Sequence, residues 1–234
     1  ADLPIVSRGI CISSQTDFDL SNSLVFTSTS SEANFSTFAD GLSENQVYYM
    51  RSFVENLAGI GYGQVLSFTT KTYYEIGETG PTGGFIFYNK IDTVGGWNFL
   101  EMYTTDIGGS AKWGSNSNFL STQLDIGSGE SNTSQIVDFF GPSENNAARI
   151  CMDFNVNGVS DWYLPSRNEL LAIRNNLHLN GIGFLSPNGI YWSSSQDDTF
   201  PENAWSVQMN SQDVNQSVSY PKSTLLSIRP VRKL

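Results

Sequence analysis

Charged residues are scarce in this chain, and cationic residues are the scarcest of them. Lysine and arginine together number 12 among 234 residues, against 23 aspartates and glutamates, which gives a formal net charge of −11. Nucleic-acid binding needs cations clustered against the phosphates, and docking on anionic membranes needs a basic surface. The sequence therefore predicts no nucleic-acid partner. A solvated acidic surface that keeps the protein soluble explains the charge.

Long apolar runs are also absent. No stretch reaches the roughly 18 apolar residues that a membrane-spanning helix needs, so we expect no membrane insertion. The first residues, Ala1-Asp-Leu-Pro4, lack the basic start and apolar core of a signal peptide. We expect the chain to be a fragment that begins inside a longer precursor.

Residues that commonly carry catalysis are few. The two cysteines, Cys11 and Cys151, are placed in different predicted domains and are expected to be buried free thiols. The one histidine, His178, falls at a predicted helix end, where it favours the helix dipole. No Gly-x-Ser-x-Gly nucleophile elbow occurs. Asp197 and Asp198 are adjacent and would face opposite sides of a strand, which disfavours paired acid–base work. We therefore predict that the protein is not an enzyme.

What the sequence does contain is β-rich in its first part. The predicted strands are Leu3–Ser13, Ser23–Thr29, Asn34–Phe38, Val47–Glu55 and Gln64–Thr70. Serine, asparagine, aspartate or glycine bounds each of them. Short strands at roughly 8–12-residue spacing are typical of an all-β sandwich.

Residues 42–63 carry a more specific pattern. Leu42 precedes Tyr48 by six residues, and a strand with the sequence Tyr-Tyr-Met-Arg-Ser-Phe and an Asn-x-x-Gly turn follow. The pattern resembles fibronectin type III domains of bacterial surface proteins. The resemblance implies that Tyr48 is the corner tyrosine, with its hydroxyl bonded to upstream main chain. It also implies that the strand around Cys11 is the third, so the sandwich would lack its first two strands. Another segment or chain would then complete it.

The composition shifts toward glycine, tryptophan and asparagine at Ile76. We expect a first domain at 1–70, a linker at 71–75 and a second domain at 76–234. The predicted strands of the second domain are Phe85–Tyr88, Gly96–Glu101, Ile190–Ser194, Ala204–Asn210 and Leu226–Val231. The predicted helices are Asn132–Phe140, Asn145–Phe154 and Ser166–Leu177. Ser166 and Glu169 form a capping-box signature for the last of these.

Several motifs of the second domain occur in the order of one known family. The most specific pair is Asp161-Trp-Tyr-Leu-Pro-Ser166 with Tyr191-Trp-Ser-Ser-Ser195, and Ile228-Arg-Pro-Val-Arg232 closes the series. Over residues 76–233 the chain resembles the C-terminal domain family of the bacterial collagen-like adhesin Lcl. The resemblance implies an α+β, C-type-lectin-like fold. The expected fold class is therefore mainly β with some α, an incomplete fibronectin type III sandwich followed by this lectin-like domain.

The resemblance also implies that the last strands and their loops form the binding face. These loops, 195–203 and 210–224, are rich in Asn, Gln, Asp and Ser, which suit hydrogen bonding to a glycan or a polar protein surface. In 204–210 we expect Trp205, Val207 and Met209 to face the core, with Ser206, Gln208 and Asn210 outward. The candidate ligand-binding residues are Gln196, Asp197, Asp198, Glu202, Asn203, Gln208, Asn210, Gln212, Asp213 and Asn215. An ordinary polar loop is the alternative interpretation.

The stretch Asp153-Phe-Asn-Val-Asn-Gly158 begins like a Ca²⁺-binding loop. The twelfth position of such a loop should be a bidentate glutamate, and here it is Leu164, which excludes an EF-hand. A looser oxygen cluster remains open, with the candidate ligands Asp153, Asn155, Asn157 and Asp161. A plain Asn-Gly turn is the favoured alternative. No other cofactor is expected.

Together these patterns predict a non-enzymatic extracellular binding module from a secreted bacterial protein at the cell surface. Its partner would be a glycan or a protein on a host or neighbouring cell. Two alternatives stay open. The chain could be a structural terminal cap or anchoring piece of a surface filament, or a receptor-binding fibre of a phage or secretion system.

Overall fold

The structure is a computed structural model that describes residues 3–30, 32, 34–70, 73–90, 94–115, 119–210 and 216–234. The chain divides into two compact units, Ala1–Tyr73 and Tyr74–Leu234. Strands dominate and a few short helices accompany them in the second unit, so the fold class is mainly β with some α, as predicted. None of the helices in these ranges is long and apolar enough to cross a membrane.

Unit 1 contains a single antiparallel sheet in its described residues. Its strands are β1 (Ile5–Ser13), β2 (Leu24–Thr27), β3 (Val47–Asn56), β4 (Gly59–Tyr62) and β5 (Leu66–Thr69). The order is β2-β1-β3-β4, and β5 also pairs with β3. Strand β4 pairs with the second half of β3 and β5 with the first half, so the two lie end to end on one edge of β3.

The predictions for unit 1 hold in part. Tyr48 is buried and its hydroxyl accepts a hydrogen bond of 3.0 Å from the main-chain N–H of Ser43, the contact predicted for a corner tyrosine. The predicted strand Asn34–Phe38 is wrong, because these residues pair with no strand and the Phe38 side chain is 84% exposed. Strand β4 was missed because its Gly-Ile-Gly-Tyr sequence looks like a turn. The assignment to a fibronectin type III domain stays a prediction.

The described residues of unit 2 form two sheets. Its strands are β6 (Phe85–Asn89), β7 (Phe99–Met102), β8 (Ser110–Ala111), β9 (Ile190–Gln196), β10 (Asn203–Gln208), β11 (Ser217–Pro221), β12 (Leu226–Ser227) and β13 (Val231–Lys233). One sheet has the order β11-β10-β9-β12-β8, and the other is β13-β7-β6. Strands β9 and β12 are parallel, and the other pairs are antiparallel.

Three α-helices pack with these sheets, and all three were predicted. They are α1 (Gly129–Phe140), α2 (Ala147–Met152) and α3 (Arg167–Asn176), and a short 3-10 helix, His178–Asn180, follows α3. Helix α3 begins at a complete capping box. The Ser166 hydroxyl accepts from the Glu169 N–H at 3.2 Å, and the Glu169 carboxylate accepts from the Ser166 N–H at 2.7 Å. This reciprocal pair satisfies two main-chain donors that the first helical turn leaves without partners.

The five-stranded sheet has an apolar core on each of its faces. Val207 and Met209 belong to a cluster with Leu170 and Ile173 of α3. Ala204 and other residues belong to a second cluster, which contains Trp113, Ile136, Val137, Cys151, Leu164 and Trp192. Strand β10 is covered on both of its faces. Successive side chains along it therefore point into two different cores, instead of alternating between core and solvent.

Candidate functional site

The two most specific motifs of unit 2 meet inside the protein. The N–H of Ser194 donates to the carbonyl of Pro165 at 2.7 Å, and the N–H of Arg167 donates to the hydroxyl of Ser195 at 3.1 Å. The contact is made by a bulge in β9, where Ala204 pairs with Gln196 but Ser206 pairs with Trp192. Two extra residues in β9 therefore turn its serines toward the start of α3.

The bulged serines have structural partners. The Ser193 hydroxyl donates to the Trp205 carbonyl and the Ser195 hydroxyl donates to the Gln123 carbonyl, each at 2.7 Å. Ser193 also accepts the indole N–H of Trp113 on its carbonyl at 2.8 Å. All three serines are fully buried. The Ser193 and Ser195 hydroxyls hold main-chain groups in place, and the Ser194 hydroxyl accepts from the Asn132 amide. None of these three hydroxyls is exposed as a nucleophile.

A buried carboxylate fixes the loop that precedes α1. The Glu169 carboxylate accepts from the main-chain N–H groups of Ser166 and Gly127, the latter at 2.8 Å. The Tyr163 hydroxyl donates to the same carboxylate at 3.4 Å. Burial raises the pKa of Glu169 to about 7, and the main-chain N–H groups oppose that rise. The carboxylate is therefore a positioning group for this loop.

One side chain connects three loops at the end of the five-stranded sheet. Gln196 accepts on its Oε1 from the Leu120 N–H at 2.9 Å and from the Lys222 ammonium at 2.8 Å. The Gln196 N–H also donates to the hydroxyl of Thr122 at 2.7 Å. Gln196 and Lys222 are both buried. A hydrogen-bond network of this kind, with Gln196 and Lys222 buried at its centre, joins the segments that it connects.

Lys222 is an unusual group at the base of these loops. Its ammonium lies 4.8 Å from the centre of the Trp113 ring. Its main-chain carbonyl accepts from the main-chain N–H of Trp113 at 2.9 Å. Burial lowers the pKa of Lys222 to about 8, while the negative charge of Glu202 opposes the change. The Lys222 N–H donates to the Glu202 carbonyl at 2.9 Å, which ties the β9–β10 loop to the end of β11.

The tips of these loops are exposed and apolar although their bases are buried. Phe119 is 55% exposed, Phe200 is 53% exposed and Leu225 is 64% exposed. The carboxylates of Asp198 and Glu202 flank Phe200 and are exposed as well. We call residues 119–120, 197–202 and 222–225 the three-loop surface.

The predicted ligand-binding residues fall into three groups. Gln196 and Asp197 are buried, and Asp197 accepts from the N–H groups of Thr199 and Phe200 at 2.9 and 3.2 Å. These two residues therefore shape the site from beneath. The residues with exposed or half-exposed side chains are Asp198, Glu202, Asn203, Gln208 and Asn210. The remaining candidates, Gln212, Asp213 and Asn215, lie outside the described residues.

The predicted orientation of β10 needs correction. Ser206 was expected to point outward, but it is buried and its hydroxyl donates to the Val218 carbonyl at 2.7 Å. The reason is the second core on that face, which sequence alternation alone does not reveal. Trp205 was expected in the core and is half-buried, with the Arg167 guanidinium 5.2 Å from its ring centre.

The candidate metal ligands are distributed along a turn. Asn157 and Gly158 have φ of 53° and 81° between the bridged pair Val156 and Val159, which is the geometry of a tight Asn-Gly hairpin turn. Asp161 accepts from Arg232 on both of its carboxylate oxygens, at 2.8 and 2.7 Å. Within the described ranges no group of three or more His, Cys, Asp or Glu side chains could hold a metal ion. The proposed ligands Asp153 and Asn155 are exposed on this segment.

The apolar residues of the three-loop surface were missed from the sequence, although Phe200 left a readable signal. It is a large apolar residue in the polar stretch Asp-Asp-Thr-Phe-Pro-Glu, with no strand or helix period to place it in a core. Leu225 gave no such signal, because it directly precedes Leu226, where the predicted strand Leu226–Val231 begins.

Fold and site together define a β-rich module whose motifs are structural and whose candidate site consists of loop tips. A sequence model of the Lcl C-terminal domain family matches residues 103–232, more than half of the chain and the whole candidate site. The chain belongs to this family, and its second unit is an adhesin-associated domain. No curated protein and no solved structure matches the chain.

Proposed function

We propose that this chain is a non-enzymatic, extracellular adhesion module that binds a glycan or a protein surface through the three-loop surface. The observation that carries the proposal is the contrast within these loops. Their bases are joined through the buried Oε1 of Gln196, while Phe119, Phe200 and Leu225 stand exposed at their tips.

Such a contrast favours binding for an energetic reason. Large apolar side chains on the surface lose contact with water when a partner covers them, and exposed patches of this kind mark interaction sites. Loops that are already ordered lose little conformational entropy on association, so more of the contact energy appears as affinity. The exposed loop tips meet the first condition. The Gln196 network meets the second, because it joins the bases of the loops.

The chemistry of the surface narrows its partner. Exposed carboxylates of Asp198 and Glu202 favour hydroxyl donors or cations on the partner, and they disfavour polyanions. Asn203 directly follows the 197–202 loop, is half-exposed and adds an amide group that suits hydroxyl-rich ligands. A neutral glycan or a basic protein surface fits this composition.

The direct test is binding of the full chain to arrays of glycans and extracellular-matrix proteins, with and without a calcium chelator. We expect saturable binding to a subset of neutral glycans or basic proteins. Loss of binding on chelation would assign a role to Ca²⁺ at this surface. Absence of saturable binding by the folded chain on both arrays would contradict the proposal.

One observation favours a second function, a structural cap that packs against a neighbouring chain. Unit 1 exposes several large apolar side chains, including Val6, Phe38 and Leu57. Edge strands and uncovered apolar faces invite pairing with another segment. Concentration-dependent self-association of the full chain, together with no array binding, would favour this function over adhesion.

A further inference from the structure

Unit 1 contains a buried arginine whose guanidinium makes no hydrogen bond among the described residues. Arg8 lies in β1 and is 9% exposed. Its Nη2 atom has no accessible surface and no hydrogen-bond partner, and no carboxylate forms an ion pair with its guanidinium within the described part of the chain. Buried charges in proteins are normally paired, because removing an ion from water is costly unless another group replaces the water.

The surroundings of Arg8 are open on one side. The residue lines a depression of about 300 Å³, together with the hydroxyl-bearing residues Ser7, Ser28, Thr29 and Ser30 and two apolar side chains. This volume is at the lower end of the range for small-ligand pockets. None of the described residues that line the depression is acidic. The site is therefore cationic and polar in a protein whose net charge is strongly negative.

Two of the lining hydroxyls are set to donate. The Ser28 hydroxyl accepts from the Ser30 N–H at 3.3 Å, and the Ser30 hydroxyl accepts from the Glu32 N–H at 3.2 Å. Neither hydroxyl donates to a protein acceptor in the structure. Since each hydroxyl has one proton to donate, both remain available to an acceptor that enters the depression.

An aromatic ring orients the guanidinium. The Arg8 Cζ atom lies 5.3 Å from the centre of the Phe35 ring, which is within cation–π range. Contact with a ring restricts the plane of a guanidinium. Because Nη2 has no accessible surface, an acceptor in the depression meets the other N–H groups of Arg8 together with the serine hydroxyls. A carboxylate suits this arrangement, because its two oxygens can accept from a guanidinium N–H and from a hydroxyl at once.

We propose that Arg8, with the hydroxyls of Ser28 and Ser30, forms a binding site for the carboxylate group of a small ligand. This site lies in unit 1 and is separate from the three-loop surface of unit 2. The carboxylate can belong to an acidic sugar or to an acidic amino-acid side chain, since both present the same two-oxygen acceptor.

Calorimetric titration of the full chain tests the proposal with two matched pairs of probes. One pair is D-glucuronate and D-glucose, and the other is N-acetylglutamate amide and N-acetylglutamine amide. We expect saturable binding of at least one of the two acids and none of its neutral counterpart. The acid that binds more tightly identifies the source of the carboxylate.

Variants separate binding by Arg8 from general charge effects. Arg8→Met keeps an apolar stem and removes the charge, and we expect at least about tenfold weaker binding of the acid. Arg8→Lys should retain part of the affinity, because lysine keeps the positive charge but lacks the planar donor geometry of the guanidinium. Arg167→Met, which removes a cation from unit 2, should bind as the unmodified chain does.

Thermal unfolding checks that Arg8→Met folds. Without ligand we expect this variant to be at least as stable as the unmodified chain, because the unpaired buried charge is gone. With the acid present, only the unmodified chain should gain stability. Equal affinity for acid and neutral probes, unchanged affinity in Arg8→Met, or absence of binding to both acids would overturn the proposal.

Discussion

The N–H of Ser194 donates a 2.7 Å hydrogen bond to the carbonyl of Pro165, and this bond joins two motifs that lie far apart in the sequence. Next to it, the Ser195 hydroxyl accepts from the Arg167 N–H. A strand bulge and a helix start thus satisfy each other's main-chain groups at a contact where Pro165, Ser194 and Ser195 are buried. The motifs specify the architecture beneath the three-loop surface rather than that surface itself.

Removal of the Ser195 hydroxyl tests this structural role. The hydroxyl donates to the Gln123 carbonyl and accepts from the Arg167 N–H, so Ser195→Ala removes both of these hydrogen bonds. The Gln123 carbonyl keeps the Asn132 amide as a donor, whereas the part-buried Arg167 N–H loses its partner. We expect a loss of roughly 1–3 kcal/mol in the free energy of unfolding. Ser160→Ala, at an exposed position, should change it by less than about 0.5 kcal/mol. Urea denaturation measures both. Equal stability of the two variants would show that the buried hydroxyl contributes nothing.

The Gln196 side chain should matter for stability because it serves buried donors on two other loops. Gln196→Met has a similar length but offers no amide oxygen to the Leu120 N–H and the Lys222 ammonium. We expect a loss of roughly 1–3 kcal/mol in unfolding free energy and faster amide hydrogen exchange at Leu120. Gln208→Met, at a half-exposed position, is the matched control and should do neither. Unchanged exchange at Leu120 in Gln196→Met would contradict the network.

Glu169 should make stability depend on pH near neutrality. Burial raises its pKa in the folded state to about 7 from an ordinary value of 4.5. The folded protein then binds more protons than the unfolded chain between these values. The stabilisation that comes from preferential protonation of Glu169 in the folded state is complete below about pH 4.5. It is lost as the pH rises through about 7.

The readout is the difference in unfolding free energy between the unmodified chain and Glu169→Gln, measured from pH 5 to pH 8. We expect the unmodified chain to lose roughly 2–3 kcal/mol relative to the variant over this range. Glu202→Gln, at an exposed carboxylate, should show no such change in its difference from the unmodified chain. A pH-independent difference for Glu169→Gln would refute the raised pKa.

For Lys222 we expect the free energy of unfolding to change with pH in the opposite direction, at higher pH. Burial lowers its folded-state pKa to about 8 from 10.5, so in this interval the unfolded chain binds more protons. The corresponding stability is present above about pH 10.5 and is lost as the pH falls through about 8. Relative to Lys222→Met, the unmodified chain should therefore gain stability from pH 8 to pH 10. Subtraction of the variant cancels tyrosine ionisation, which is common to both proteins, and a flat difference would exclude an uncharging lysine.

Local signals explain which elements were predictable. Helix α3 was predicted because Ser166 and Glu169 form a capping box and the apolar stripe continues through Leu170 and Ile173. Strand β11 was missed because its Ser-Val-Ser-Tyr-Pro sequence lacks a run of apolar residues and resembles a polar loop. Its pairing with β10 supplies the stabilisation that its own composition lacks.

The sequence anticipates which loop residues are exposed only in part. Asp198 and Glu202 in the loop after β9 are exposed, whereas Gln196, predicted to contact a ligand, is buried. The bulge in β9 places Gln196 opposite Ala204, and a strand period of two cannot anticipate that shift. The joining of the loop bases likewise depends on long-range contacts, which the Gln196 side chain makes with Lys222 and Leu120.

The most direct measurement of the central claim is array binding by a loop-tip variant of the full chain. Phe119→Ala combined with Phe200→Ala removes two exposed rings of the three-loop surface and leaves the Gln196 network intact. Phe184→Ala is the matched control, since that ring is 81% exposed at a different place in unit 2. We expect the double variant to lose at least about tenfold in affinity for whatever ligand the unmodified chain binds, and the control to retain it. Full affinity in the double variant, with folding verified by thermal unfolding, would show that binding does not use the three-loop surface.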